Sequence, residues 1–411
     1  MKDHFDICII GGGLAGGLAS LALSDAGFSC AVIDSQNPKT MRDAQFDGRT
    51  TAIAYANARM FTRLGLWERI APYASPINDI LVTDGRADTR FRRGHVSALG
   101  LHFDSSELET GAPLGWIVEN VGMRNVIFDE IADNDNIALF APARRTKLDI
   151  STRRAVVTLD DGREVSADLL VAADGKKSQT RAEAGLKVTR WSYGQMGIVA
   201  TVSHDRPHKG VAQEFFLPSG PFAILPMTGD RSSLVWTEKS DQTPAYLSLD
   251  NDDFTAEVAS RFGPYLGDVR ADGPRFAYPL GFHLSQRLIS PRIALIGDAA
   301  RAVHPIAGQG FNLGIKDIAA LTDVLTEARG VGLNIGAHNV LENYQSWRRF
   351  DSVMLALGTD VLNRIFSNDL APLRAARDIG AGVVNQIGPL RRFFMRQAGA
   401  DVGRLPSLIR P

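Results

Sequence analysis

The sequence predicts a mixed α/β (α+β) fold: a parallel-sheet domain with an inserted antiparallel sheet and a helical C-terminal region. Three observations predict it. A βαβ unit opens the chain, with apolar β-prone runs at residues 5–10 and 30–33 around an Ala- and Leu-rich helix at 14–25. Between 193 and 237 the texture changes to short alternating strands punctuated by Pro and Gly, which indicates a separate antiparallel sheet. From Gly308 to the end the pattern is mostly helical. At ~100–200 residues per domain, a chain of 411 residues holds two domains or three.

Composition narrows the class. Lys and Arg total 45 against 46 Asp and Glu, and 45% apolar with 22% charged residues is ordinary globular usage, neither disordered nor coated for nucleic acid. Cys8 and Cys30 are too few for a disulfide framework or a four-cysteine zinc site, so the expected setting is the reducing cytoplasm. The eight histidines show no metal-ligand spacing, and no metal is expected. Glycine is the one count out of line: average usage gives roughly 29 in this length, and the chain has 39. The uncharged run 7–24 approaches the ~20 residues of a membrane span. Its five glycines and its flanking Asp6 and Asp25 argue against that reading.

Along the chain, residues 51–73 read as helix and 74–115 as a turn-rich loop or edge excursion with an Arg-dense tract at 86–93. A helix follows at about 120–133, then strands at 146–150, 155–159 and 164–172. The antiparallel region contributes strands 197–203, 213–217, 222–226 and 232–237, closed by a short helix near 252–263. Residues 292–296 read as a buried strand, and Gly330, Val331, Gly332 and Gly336 as an inter-helix loop. The tail 341–411 carries ten Arg and no Lys against six acids.

Three glycine-bearing motifs carry the chemistry. Gly11-Gly12-Gly13-Leu14-Ala15-Gly16 is a GxGxxG between a strand and a helix, with Asp34 at the end of the second strand. Such glycines let a backbone approach a pyrophosphate held on a helix N-terminus, and the acid accepts hydrogen bonds from a ribose. This makes the first domain Rossmann-type. Asp174-Gly175 follows the strand 164–172, with Ser178 and Arg181 beyond, a turn able to bring amides and a guanidinium near phosphates. Gly297-Asp298 precedes the run His304-Pro305-Ile306-Ala307-Gly308-Gln309-Gly310-Phe311-Asn312-Leu313-Gly314-Ile315-Lys316-Asp317, whose bare amides open a helix toward developing negative charge. Ten glycines, 11, 12, 13, 16, 17, 175, 297, 308, 310 and 314, thus have places in the motifs.

In this order the motifs resemble the group A flavoprotein aromatic hydroxylases, which share a glutathione-reductase-like FAD fold. The fourteen-residue run from His304 to Asp317 looks like the signature of the ubiquinone-biosynthesis monooxygenases. Asp47-Gly48-Arg49-Thr50-Thr51-Ala52, residues 116–120, 220–226 and 233–237 are similarly family-like. By that resemblance Gly11, Gly13, Gly16 and Asp34 hold the ADP half of FAD, Arg49 and Arg124 lie near the adenosine and pyrophosphate, and Asp298 bonds the ribityl chain. Leu14, Ala15, Asp174, Gly297, Gln309, Phe311 and Asn312 complete the cofactor set. Residues Pro305 to Gly310 border the isoalloxazine ring, which makes His304 and Pro305 the catalytic candidates, although a lone His reads more readily as structural. The resemblance divides the chain into an FAD-binding domain of residues 1–75, 112–182 and 276–340, a substrate domain of 76–111 and 183–275, and the helical region 341–411. The tail lacks the thioredoxin-like domain of a related phenol hydroxylase subgroup, and no Trp-x-Trp pair of the flavin-dependent halogenases occurs.

The resemblance implies a monooxygenase that hydroxylates a polyprenylated phenol through a flavin C4a-hydroperoxide, with O2 as co-substrate. NAD(P)H or a ferredoxin-type protein is the electron donor. A flavin oxidase or reductase, and a non-catalytic flavoprotein subunit of a quinone-biosynthesis complex, stay open as alternatives. The inserted sheet offers Phe215, Phe222 and Trp236 as substrate-pocket candidates, with plain core packing as the competing reading. Substrates with prenyl tails imply peripheral contact with the inner face of the membrane. Arg391, Arg392 and Arg396 beside Leu390, Phe393, Phe394 and Met395 suit an interfacial foot or an ordinary amphipathic helix.

Overall fold

Uncharged apolar segments make strands that are covered on both faces, and the centre of the first sheet, residues 7–10, 30–33 and 169–172, is built from them. The structure, a computed structural model, describes residues 4–42, 48–86, 95–96, 101–108, 111–305, 308–349 and 387–411. The tract 87–93, Asp47, Ile306, Ala307 and the helical reading of 350–386 lie outside the described residues.

β1 (His4–Ile10) leads through the glycine turn into α1 (Leu14–Asp25) and back into β2 (Cys30–Ile33), with Ile7 opposite Cys30 in parallel register. Gly16 to Ser24 are all buried, so α1 is covered all round, as a helix without a polar face must be. Cys8 and Cys30 are fully buried core residues. After α2 (Pro38–Arg42), residues 51–73 depart from the expected single helix. Thr50–Ala54 is strand β3, and helix begins only at α3 (Tyr55–Arg63) and resumes at α4 (Trp67–Ile70). The β-branched Thr50, Thr51 and Ile53 meet a ready partner strand, and Gly65 at φ +69 breaks the helix.

That partner lies beyond the expected excursion, which holds β4 (Ala74–Ile77), β5 (Asp79–Arg86), β6 (His95–Val96) and β7 (Leu101–Asp104). β8 (Gly115–Glu119) then joins β3 and β4 in a small sheet of order β3-β8-β4. α5 (Asn120–Ala132), β10 (Arg145–Ile150), β11 (Ala155–Leu159) and β12 (Glu164–Ala172) agree with the sequence reading within a residue or two, whereas the short strand β9 (Ile137–Phe140), which lies between α5 and β10 and pairs with β2, is absent from the sequence reading. The first sheet runs β10-β11-β12-β1-β2-β9, with β1 parallel to both neighbours.

α6 (Gln179–Glu183) precedes the large sheet of β13 (Val188–His204), β14 (Val211–Leu217), β15 (Gly220–Pro226) and β16 (Arg231–Lys239). α7 (Thr243–Leu247) and α8 (Asn251–Phe262) follow, then β17 (Val269–Ser285), a 17-residue strand absent from the sequence reading. Its Pro and Gly read as breakers, yet β17 pairs β13 along its length through two register shifts, and among the described residues its other edge is paired only near its end, by β20. β17 also runs across the expected domain boundary at 275/276, because its partner strand fixes it to the large sheet.

β18 (Ile289–Ser290) and β19 (Ile293–Leu295) return to the first sheet, where β19 lies parallel to β12. β20 (Arg301–Ala302) pairs the end of β17, and α9 (Gln309–Gly330) carries the third motif into the core. A C-terminal helix, Gly388–Ala398, packs near the start of α9, where the Gln309 side chain donates to the Ala398 carbonyl at 3.1 Å.

Candidate active site

The three motifs meet at one cavity of about 650 Å³ between the first sheet and the large sheet. Two helices open on it, α1 at Gly13–Ala15 and α9 at Gly308–Phe311. Neither N-terminus has a side-chain cap or an acid in its first turn. Their first-turn amides and dipoles therefore face the cavity, one suited to a pyrophosphate and the other to a carbonyl edge that gains negative charge.

Glycine is obligatory at both starts. A Cβ on Gly16 would lie 1.8 Å from the Gly11 carbonyl oxygen, whereas one on Gly13 would meet nothing within 4 Å. The turn is thus closed against protein and open toward the cavity. Gly308 has φ +61, and a Cβ there would come within 2.6 Å of Ala52.

Around this cradle, side chains hold backbone in place. Asp34 accepts from the Gly12 N–H at 2.6 Å and from the Gln36 N–H at 2.7 Å, tying β2 to the glycine turn. Asn312 is buried and fully engaged: its oxygen accepts from the Ala54 N–H and from Asn57, and its amide donates to the Ala52 and Gly308 carbonyls. It lines the cavity, and its bonds to Ala52 and Ala54 tie the start of α9 to β3 while those to Asn57 and Gly308 tie it to α3 and to its own first turn. Arg181 donates to the Ala299 and Lys176 carbonyls, at 2.7 and 3.0 Å, so it bridges the second motif to the third and does not point a free guanidinium at phosphate. Asp174 accepts from the Thr180 N–H at 3.1 Å.

Gly297-Asp298 is held from both sides. His283 donates to the Asp298 carbonyl at 2.9 Å, and burial, then Arg181, lowers its pKa to about 4, so the ring is a neutral donor. Asp317 accepts from the Gly297 N–H at 3.0 Å while it pairs with Arg301 and with Arg348 Nε, all three side chains being fully buried. Asp298 lines the cavity and is exposed to it, and desolvation by the surrounding protein raises its pKa from the ordinary carboxylate value. Neither His283 nor the Asp317 triad was legible in the sequence beyond the Asp317 that ends the third motif.

Of the residues proposed from sequence, Gly13, Leu14, Ala15, Gly297, Asp298, Pro305, Gly308, Gln309, Gly310, Phe311 and Asn312 line the cavity. Gly11, Gly16, Asp34 and Asp174 stand behind that wall as its supports. Arg49 precedes β3, and its carbonyl accepts from the Asn120 N–H at the start of α5, the helix that carries Arg124; neither side chain is on the cavity wall.

Two expectations are corrected. His304 is fully buried and off the wall, its ring edge-on to Tyr193 at 5.3 Å, because the extended chain turns Val303 and Pro305 to the cavity and the residue between them away. Phe215, Phe222 and Trp236 likewise face away, in a second core with Phe254 and Val258 of α8. The cavity face of those strands instead carries Glu214, Ala223 and Val235, one residue out of phase.

Comparison with known proteins agrees with this geometry. The family described as FAD binding domain matches residues 4–350. The ubiquinone hydroxylase UbiL of Rhodospirillum rubrum is 45% identical over 96% of this chain and 89% of that protein. The 3-demethoxyubiquinol 3-hydroxylase of Escherichia coli is 32% identical over 96% of this chain and 98% of its own. Among solved structures, the p-nitrophenol 4-monooxygenase PnpA of Pseudomonas putida superposes with a TM-score of 0.79 at 18% identity, covering 98% of this chain and all of the other, which supports the fold. With FAD's cradle assembled from all three motifs, the chain belongs to the FAD binding domain family and, within it, to the FAD-dependent monooxygenases of ubiquinone biosynthesis.

Proposed function

We propose that this monooxygenase hydroxylates the aromatic ring of a polyprenylated phenol, with O2 as co-substrate and NAD(P)H or a ferredoxin-type protein as electron donor. The observation that carries the reading is the shared cavity. Its cradle side is glycine and helix N-termini, and its opposite side is an apolar sheet face with Ile80, Val82, Phe103, Leu225 and Val235. The cradle fits FAD, since the open space beside Gly13 and Gly310 is where backbone comes nearest a ligand. When bound and reduced, FAD supplies oxygen activation. The chain's own residues hold the ring against the α9 start, bind the aromatic substrate on the sheet side and keep water out. One dinucleotide fingerprint serves FAD, so a nicotinamide donor docks transiently.

The C-terminal helix supports a prenyl tail that leads toward a membrane. Met395 and Ala398 line the cavity, while Phe393 and Phe394 are 51% and 43% exposed on the same helix beside Arg392 and Arg396. Arg391 is committed to Glu107 at 2.7 Å. No helix among the described residues is long and apolar enough to cross a membrane, so contact through this helix is interfacial. Replacing both Phe393 and Phe394 by serine removes about 1.5–3 kcal/mol per inserted side chain. Co-sedimentation with anionic vesicles then falls at least tenfold, with turnover of a short-tailed phenol unchanged.

The test of the reaction is product identity. Holoenzyme given an ortho-prenylated phenol with one isoprene unit, a reductant and O2 yields the ring-hydroxylated diol. Oxygen uptake that ends only in hydrogen peroxide indicates an oxidase instead, and no uptake indicates a non-catalytic subunit.

A further inference from the structure

The apolar face of the cavity contains one acid. In the large sheet, Val82, Glu214, Ala223 and Val235 stand side by side across β5, β14, β15 and β16, and all four line the cavity. The Glu214 side chain makes no hydrogen bond or ion pair among the described residues, whereas the carboxylates of Asp34, Asp174 and Asp317 in the cradle each accept from a backbone N–H. A carboxyl left unpaired beside aliphatic side chains costs stability, and it persists where a ligand will partner it.

We propose that Glu214 is the catalytic residue that accepts the substrate's phenolic proton, holding the hydroxyl by a hydrogen bond and thereby fixing which ring edge faces the flavin. The proposal rests on the phenol reading of the site. As oxygen is transferred, a ring π pair forms the new C–O bond and the O–O bond breaks. The second oxygen atom leaves as water with the two electrons of the donor. The phenolic O–H pair becomes the C=O of a dienone, and its proton passes to Glu214. Loss of the ring hydrogen as a proton restores the aromatic diol, and Glu214 releases its proton to solvent. An unionised phenol ring is a poor nucleophile, and this hydrogen bond supplies electron density as attack begins.

Charge near Glu214 does not compete for it. β15 carries no charged residue. On the neighbouring edge Asp79 is paired with His102, and on the C-terminal helix Arg391 is paired with Glu107. Asp104 of β7 and Arg392 and Arg396 are off the cavity wall, and among the described residues Asp298 is the other titratable group on that wall. Burial alone raises the Glu214 carboxyl from 4.5 to about 7, close to the working pH at which a general base is most effective.

The test uses the FAD-loaded enzyme and the ortho-prenylated phenol with one isoprene unit. In the wild type, kcat rises as pH passes through about 7 and Glu214 ionises. Glu214→Gln lowers kcat by about 10²–10⁴-fold with a smaller change in KM and abolishes that limb, and Glu214→Asp restores part of both. A second readout is independent of turnover. Phenol binding, followed by flavin fluorescence, tightens above neutral pH in the wild type and is flat in Glu214→Gln. The folded-state carboxyl is raised, so the wild type loses stability as pH climbs from 4.5 to about 7, and Glu214→Gln melts higher than wild type at alkaline pH but not at acid pH. A wild-type enzyme that hydroxylates the phenol, with Glu214→Gln matching it in rate, pH limb and binding, overturns the role of Glu214. A wild type that makes no diol at any pH overturns the phenol reading itself.

Discussion

Gly16→Ala is expected to give a protein that purifies without flavin. The added methyl would lie 1.8 Å from the Gly11 carbonyl oxygen and 2.9 Å from its carbon, both backbone atoms. Nor can Gly11 yield, because it has φ +100 and its own Cβ position is 2.5 Å from the Ala173 carbonyl oxygen on the far side. The clash therefore opens the turn between β1 and α1, and a cradle displaced by about 1 Å loses on the order of 10²-fold or more in function. Gly13→Ala is the informative partner. Its backbone, φ −67 and ψ −169, suits alanine, and its Cβ meets no protein atom within 4 Å, so the apoprotein should fold as the wild type does. Only the space reserved for the ligand is filled. Flavin-to-protein ratio after gel filtration, read beside circular dichroism, separates a damaged fold from a blocked site. Full flavin loading in both variants would remove the first motif from the cofactor site.

Asp317→Ala is expected to lower stability by about 3–5 kcal/mol, the range for leaving a buried charge without its partner. Here two guanidiniums, Arg301 and Arg348, lose the same carboxylate, and both are fully buried. The Gly297 N–H loses its acceptor at the same time, which frees the turn that presents Asp298. The melting temperature and the flavin affinity should thus fall together. Asp317→Asn keeps the volume and the acceptor but not the charge, so it reports the ionic part alone. A variant of either kind that melts like the wild type would show that the triad does not hold the turn.

Local chemistry made much of this fold legible. A strand, three glycines, a helix and an acid at the next strand's end are close in sequence, and the structure assembles them as such through β1, α1 and Asp34. β10, β11 and β12 were similarly plain, because apolar alternation and polar turns lie within a few residues. What resisted was set by distant partners. Thr50–Ala54 is a strand because Gly115–Glu119 lies beside it, more than sixty residues on. β17 is a strand because β13 pairs with it despite its prolines.

Face was the other hidden variable. Alternation tells which residues of a strand share a face, but both faces of the large sheet are covered, one by α8 and the other by the cavity. Aromatic bulk pointed to Phe222 and Trp236, and packing used that bulk for the core. The cavity received smaller neighbours and Glu214, whose single position in the sequence carries no motif. Arg181 and Asn312 show the same limit, since their residue types suggest ligand contact while their side-chain bonds among the described residues go to the protein, Arg181's to backbone carbonyls and Asn312's to backbone and to Asn57.

The central claim is that the cavity joins reduced FAD, O2 and an aromatic ring in one oxygen transfer. A single turnover of the reduced holoenzyme with the ortho-prenylated phenol under isotopically labelled O2, followed by mass spectrometry of the product, tests it most directly. The account predicts one labelled atom in the new ring hydroxyl and the other in water. Product without label, or label recovered only as hydrogen peroxide, would contradict it.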